Sequence, residues 1–374
     1  MKFPAIFLTA LAGLASASPI SSSYPLQPRQ SGKVGYLNAF FFGAEPKVYF
    51  DLSNGNNPLS FSILNGGQPI LTATSGTGGV RDPNLVLGGG AEEGQKWYIL
   101  GTDLDIAKAR HSSIKRRTTW NDAQRTGSLS IFIWESTDLV NWGTDRLVKV
   151  ENDEAGMVWA PEAIWDPEAG QYLVHWASKF VRTPLPLLHF RLPQPFYLPE
   201  LTQSQYPATD PSHTGAPTNT VIRYAHTADF KTFTGPKTLI DYAPTSIIDL
   251  NILPLDSSGQ NYGRFIKNES SPRVFYETSS TGLFGTWSRP GGPDSIIREG
   301  TEGPTSYLDN EDPSRAYLLL DYYGSDGYRP FANGDLTTNG WTEADRTSFP
   351  TMRRHGSVIG IGQREYDALR ARYA

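Results

Sequence analysis

The chain has 374 residues, of which 38% are apolar, 12% aromatic and 19% charged, and it contains no cysteine. Its 38 acidic against 33 basic residues leave a net charge of −5; with so many aromatics, this excludes a disordered tail and argues against a nucleic-acid binder. The missing thiols exclude a disulfide scaffold, thiolate zinc sites, iron–sulfur clusters and a cysteine nucleophile.

At the start, Lys2 precedes an apolar run from Phe3 to Leu14 and the small-residue sequence Ala15-Ser16-Ala17. This pattern predicts a secretory signal peptide over residues 1–17, followed by an unstructured Ser/Pro/Gln-rich leader over 18–32. The run is shorter than the roughly 20 apolar residues a membrane span needs, and no later stretch qualifies. The expectation is therefore a secreted, extracellular protein without a membrane partner. Asn268-Glu269-Ser270 is a glycosylation sequon, which suits that compartment.

Beyond the leader one unit recurs: a short aromatic or β-branched strand, a Ser/Thr/Asn/Asp/Gly turn, then an aromatic. It runs from Val48-Tyr49-Phe50 to Phe61, from Ile131-Phe132-Ile133-Trp134 through Ser136-Thr137-Asp138 to Trp142, from Arg223-Tyr224 through Thr227-Ala228-Asp229 to Phe233, and from Val274-Phe275-Tyr276 to Trp287. A weaker copy ends at Trp341. Short apolar runs bounded by turn formers are strands, and four per repeat make a propeller blade.

A second repeat keeps step with the first and marks the innermost strand of each blade. Its copies are Arg81-Asp82-Pro83-Asn84, Trp159-Ala160-Pro161-Glu162, Ile248-Asp249-Leu250-Asn251, Glu302-Gly303-Pro304-Thr305 and Arg354-His355-Gly356-Ser357. The prediction is an all-β, five-bladed β-propeller over residues 33–374, its last blade closed by N- and C-terminal strands. Residues 35–64 supply three strands without an inner partner, and the fifth inner strand supplies it.

Inner strands surround the axis, so a titratable residue opening each one faces a common pocket. The candidates are Asp82, Glu162, Asp249, Glu302 and His355. Two carboxylates converging across a cavity suit glycosidic hydrolysis: one donates a proton to the leaving oxygen, the other activates water or attacks the sugar. A third negative charge, such as Asp249, raises the pKa of an acid such as Glu302. Alone, Asp82-Pro83 or Glu302-Gly303-Pro304 is no better than a turn. The weight rests on Asp82, Asp249 and Glu302 occupying equivalent blade positions. Glu162 is a substrate-contact candidate, and Glu299 is a rival acid that falls outside the register.

These residues resemble glycoside hydrolase family 43, the five-bladed enzymes that include α-L-arabinofuranosidases, β-xylosidases and arabinanases. The resemblance covers nearly all of the chain after residue 33. Its carriers are Val80-Arg81-Asp82-Pro83, residues 120–128, Trp134-Glu135-Ser136-Thr137-Asp138-Leu139, Trp159-Ala160-Pro161-Glu162, Ile248-Asp249, Thr301-Glu302-Gly303-Pro304 and Arg354-His355-Gly356. It implies Asp82 as general base, Glu302 as general acid and Asp249 as the carboxylate that tunes and orients the acid. It also implies inversion at the anomeric carbon. No cofactor is required, although relatives hold an ion or water near a histidine like His355, so a structural calcium is a candidate there. No oxygen-ligand loop shows a metal site in the sequence itself.

Strand direction places the loop at residues 102–127 on the same face as the inner-strand starts. Trp120, Asn121 and Arg125 of that loop, together with Trp159 and His355, are thus candidates to stack on a sugar or bond its hydroxyls. Lys115-Arg116-Arg117 is a solvated basic patch, and Gly88-Gly89-Gly90 a hairpin turn.

The corresponding loop of the second blade is anomalous. Between Val181 and Gln205 it carries Pro184, Pro186, Pro193, Pro195 and Pro199 beside several large apolar residues. Joining Phe180 to Tyr206 restores the resemblance. A Val codon can begin with GT and a Gln codon can end with AG, so we read residues 181–205 as a retained intron, with a lid as the alternative. Mature transcripts that read through these codons would overturn the intron.

The function expected from all this is a secreted, exo-acting, inverting α-L-arabinofuranosidase, monomeric, acting on plant cell-wall arabinan or arabinoxylan. β-Xylosidase or endo-arabinanase activity is the nearest rival, and a non-catalytic sugar-binding propeller the rival outside enzymes. A retaining β-fructosidase is rejected, because its acid motif contains a cysteine and its Asn-Asp-Pro-Asn nucleophile motif has no counterpart near the start of this chain.

Overall fold

The computed structural model describes residues 32–106, 119–182, 213 and 215–374. The signal peptide, the leader up to residue 31, Lys115-Arg116-Arg117 and the anomalous stretch from 183 to 205 lie outside the described residues. Val181 and Arg182, which open that stretch, pair with Ala216–Pro217 as a two-stranded ribbon.

Five four-stranded antiparallel sheets form the propeller. The inner strands are Val80–Leu87, Trp159–Asp166, Ile247–Pro254, Glu302–Leu308 and Arg354–Gly362, where the second repeat predicts them. Second strands are buried along nearly their whole length, as Trp97–Asp103 shows. Both faces of each sheet are covered by neighbouring sheets, so these strands read as apolar runs rather than alternations.

The turn chemistry of the repeat has a structural reason. In the first blade, Ser136 Oγ accepts from the Leu139 N–H, and Asp138 Oδ1 accepts from the N–H groups of Val140 and Asn141. The second blade repeats this with Thr227 and Asp229, which accept from Phe230, Lys231 and Thr232. These side chains supply what the strand ladder would otherwise provide, and they hold Leu139 and Phe230 at positive φ while both are fully buried.

Closure follows the prediction. Arg354–Gly362 pairs antiparallel with Lys33–Phe42, Leu37 opposite Ile359, and Glu45–Ser53 and Phe61–Ile63 complete the fifth sheet. A C-terminal helix, Gln363–Tyr373, follows directly; the sequence reading did not include it. Its Tyr366 hydroxyl bridges Ser53 and Gly55 of the fifth blade, and its Tyr373 hydroxyl donates to the Val140 carbonyl of the first.

Polar groups stitch the inner strands around the axis. Asn84 accepts from the Ala163 N–H, Asn251 donates to Glu162, and Asn251 accepts from the Ser306 N–H. Thr305 donates to the Gly356 carbonyl, and Ser357 accepts from the Leu85 N–H. Every junction between neighbouring blades thus carries a bond from the same position of its inner strand. At that position Glu162 stands where the other blades place Asn84, Asn251, Thr305 and Ser357.

Candidate active site

Strand pairing sets the register of the axial residues, and it corrects the sequence reading. Arg81, Trp159, Ile248, Glu302 and Arg354 are equivalent, because each pairs with the second strand just before a bulge. Asp82 and Asp249 share the next position, with Ala160 and Gly303. The three carboxylates are therefore not equivalent: Glu302 stands one residue earlier than Asp82 and Asp249, and Glu162 two residues later. The bulge accounts for the difference, since its extra residues let side chains from successive positions all turn inward.

The bulge also fixes the backbone. Asp82, Ala160, Asp249 and Gly303 have φ of 50°, 48°, 51° and 54°, a left-handed conformation that costs roughly 1–3 kcal/mol at a non-glycine residue. At Gly303 a Cβ would also lie 2.7 Å from His355 Cγ, so glycine is required there.

Asp82, Glu162 and Asp249 come together around His355, where the inner strands meet. The His355 Nδ1 lies 3.5 Å from Asp82 Oδ1, and its Nε2 lies 3.9 Å from Glu162 Oε1. Burial opposes a charge on this imidazole, but Asp82, Glu162 and Asp249 outweigh it and hold its pKa well above the usual histidine range. Burial likewise pushes Asp82 up, yet His355, Arg81 and the Thr102 hydroxyl bring its carboxyl below the ordinary value, so it stays ionised. Thr102 Oγ1 donates to Asp82 Oδ2 at 2.7 Å.

Glu162 is raised by burial, despite His355 and the bond from Asn251. Asp249 accepts from the Gly303 N–H at 3.0 Å. Burial, reinforced by Glu302 and Asp82 and opposed by His355 and Lys267, pushes Asp249 up to about 6.

Glu302 lies nearer the mouth, its side chain 21% exposed. Its Oε2 accepts from Lys267 Nζ at 2.8 Å and its Oε1 from Arg354 Nη2 at 3.1 Å. Arg354 is anchored by Asp321, 2.6 Å away and fully buried. Glu299 is remote from this group, lying exposed on the outermost strand of the third blade beside Arg273.

The predicted contact residues divide. A capped helical turn, Trp120–Arg125, carries Trp120 to the mouth, where its ring stands edge-on to Trp159 at 5.9 Å and the Arg81 guanidinium lies 5.4 Å from it. Trp120 is 49% exposed, free to stack on a sugar. Asn121 accepts from Arg125, whose guanidinium also donates to the carbonyls of His213 and Gly215; Arg125 thus anchors neighbouring backbone. Glu162 is buried and bonded to Asn251.

At the axis the His355 ring stands between Asp82 and Glu162. Both ring nitrogens face carboxylates that keep the imidazole charged, so a histidinium carries the axial positive charge. Among the described residues no three His, Asp or Glu converge as ligands.

Sequence reasoning missed Thr102, Lys267 and Asp321. All three pair with the first position of an inner strand. A charge within an otherwise apolar strand, as Asp321 in Ala316–Tyr322, was the available signal.

A family profile described as "Probable glycosyl hydrolase domain" matches residues 32–185 and 200–367. An α-L-arabinofuranosidase of Bifidobacterium longum subsp. longum is 29% identical over 228 residues, 60% of this chain and 18% of that protein. The chain therefore spans only a small part of that curated relative. Among solved structures, an exo-β-1,3-galactanase from Phanerochaete chrysosporium is 12% identical with a TM-score of 0.43, the match covering 74% of this chain and 52% of that one. The catalytic domain of a Coprinopsis cinerea family-62 α-L-arabinofuranosidase is 15% identical with a TM-score of 0.41, covering 75% and 72%.

Proposed function

Since the chain belongs to the family-43-related glycosyl hydrolases, and is thereby a glycosidase, we propose that it is a secreted, exo-acting α-L-arabinofuranosidase working on plant cell-wall arabinan or arabinoxylan by inversion. The observation that carries the chemistry is the meeting of Asp82, Asp249 and Glu302 in one axial pit with different surroundings. The arabinofuranosidase relative supports the choice of sugar.

In this mechanism Asp82 takes a proton from a water whose oxygen bonds the anomeric carbon. The bond from that carbon to the leaving oxygen breaks, its electron pair stays on the oxygen, and Glu302 supplies the proton that neutralises it. One water is consumed, Asp82 ends protonated and Glu302 ends ionised. Asp249, pushed up chiefly by burial and also by the charges of Glu302 and Asp82, is the third carboxylate of the group and stands ready to orient the acid.

The test is hydrolysis of aryl α-L-arabinofuranoside and aryl β-D-xyloside by the purified protein. Faster turnover of the xyloside would overturn the arabinose assignment. Product released first as the retained anomer, followed by NMR, would overturn Asp82 as base.

A further inference from the structure

Lys267 is a buried ammonium in a strand that otherwise belongs to the core. It lies on the second strand of the third blade, opposite Ile248, and is 4% exposed. Its Nζ stands 2.8 Å from Glu302 Oε2 on the fourth blade and 2.6 Å from Glu269 Oε2 at the turn of its own hairpin. It also lies 5.3 Å from the centre of the Tyr323 ring, which is 45% exposed at the mouth. Asp249 is the remaining carboxylate that acts on it strongly.

Taking an ammonium out of water costs several kcal/mol unless its partners repay it. Glu269 alone, 35% exposed, would satisfy this lysine at the surface without any approach to the pit. The geometry instead sends the side chain across to the next blade, where it meets one oxygen of Glu302 while Arg354 meets the other from the opposite side. Both cations are braced by a second carboxylate, Glu269 and Asp321.

We propose that Lys267 is a positioning residue for the general acid: it fixes the Glu302 carboxyl beside the leaving oxygen and stabilises the carboxylate that forms there. This rests on the assignment of Glu302 as the acid. As the glycosidic bond breaks, the proton passes from Glu302 to the leaving oxygen and a negative charge grows on Glu302. Lys267 keeps its own three protons. A cation already in place when that charge appears stabilises it without any rearrangement as the bond breaks.

The role predicts a dependence on leaving group that a purely structural lysine would not give. A nitrophenolate departs with little protonation, whereas a sugar or alkyl alkoxide needs the full proton. In Lys267→Met, kcat should fall about 10²-fold for a glycoside with an alkyl or sugar leaving group, and several-fold less for the nitrophenyl glycoside, with KM little changed for both. Lys267→Arg should recover most of the loss. Equal losses on both leaving groups, or no recovery with arginine at an unchanged melting temperature, would overturn the proposal.

Should Lys267→Met fail to fold, Glu269→Gln loosens the brace while leaving the ammonium in place and should show the same leaving-group split in weaker form; an even loss there counts against the role. The pair of leaving groups is run on whichever sugar the wild-type protein accepts. Failure of the arabinofuranosidase reading therefore leaves this test intact, and an undiminished Glu302→Ala variant would identify failure of the acid assignment itself.

Discussion

The two sides of the pit hold their carboxylates differently. Asp82 is bonded by a neutral hydroxyl and faces one histidinium, within the seam between the first two blades: Thr102 donates to it at 2.7 Å while accepting from the Ala160 N–H at 2.8 Å. Glu302 is held by two full cations from the blades on either side, at 2.8 and 3.1 Å. A general base must be ionised before reaction and a general acid after it. Partners of the base thus act in the resting site, whereas cations around the acid gain strength as its proton leaves. On the proposed roles, this difference would let one ring of carboxylates serve opposite duties without differing in residue chemistry.

The largest test of that contrast is to remove each carboxyl. Asp82→Asn and Glu302→Ala should each lower kcat by about 10²–10⁴-fold, but only the Glu302 loss should depend on the leaving group. A leaving-group dependence for Asp82→Asn would exchange the two sides.

Next, His355→Ala leaves Asp82 and Glu162 facing one another without the shared cation, and should destabilise the fold by about 3–5 kcal/mol, read as a lower denaturant midpoint. An unchanged midpoint would mean that the imidazole is neutral. On the same side, Thr102→Val strips a donor from Asp82 and leaves the Ala160 N–H unpaired, a loss of about 1–3 kcal/mol with reduced kcat.

The smallest expected effect lies between the two sides and has the opposite sign. Asp249 binds its proton near pH 6 in the folded protein and near pH 4 unfolded. Its ionisation therefore opposes folding above pH 6, and the penalty vanishes below about pH 4. Asp249→Asn keeps an acceptor for the Gly303 N–H and should raise the melting temperature by a few degrees at pH 7.5. The gain should disappear in acid, and a gain that grows in acid would contradict the burial argument.

The blades were legible in the sequence because their signals are local. Ser136-Thr137-Asp138 and Thr227-Ala228-Asp229 make their bonds within a few residues, and the apolar strands they bound are continuous. The axial residues were found for the same reason, since each opens a strand that follows a turn. Their exact register was not legible. Aligning Asp82, Glu162, Asp249, Glu302 and His355 by their polarity assumes one inward position per blade, whereas the bulge offers three. Lys267 and Asp321 escaped because what they contact lies on the next blade, and no spacing along the chain encodes a bond to a neighbour. Arg125 misled in the opposite way: its place on the catalytic face was legible, but its engagement by the carbonyls of His213 and Gly215 was not.

The closure of the fifth sheet has a consequence in time. Its outer three strands, ending at Ile63, leave the ribosome long before Arg354–Gly362, the strand that must pair with Lys33–Phe42. At translation rates of about 5–20 residues per second, roughly 15–60 s separate the two. During that interval the edge of Lys33–Phe42 stands open, with Leu37, Ala39 and Phe41, all destined for full burial, along a row of unpaired backbone groups. Until that closing strand is made, through the synthesis of all four intervening blades, this protein is exposed to pairing with the wrong chain.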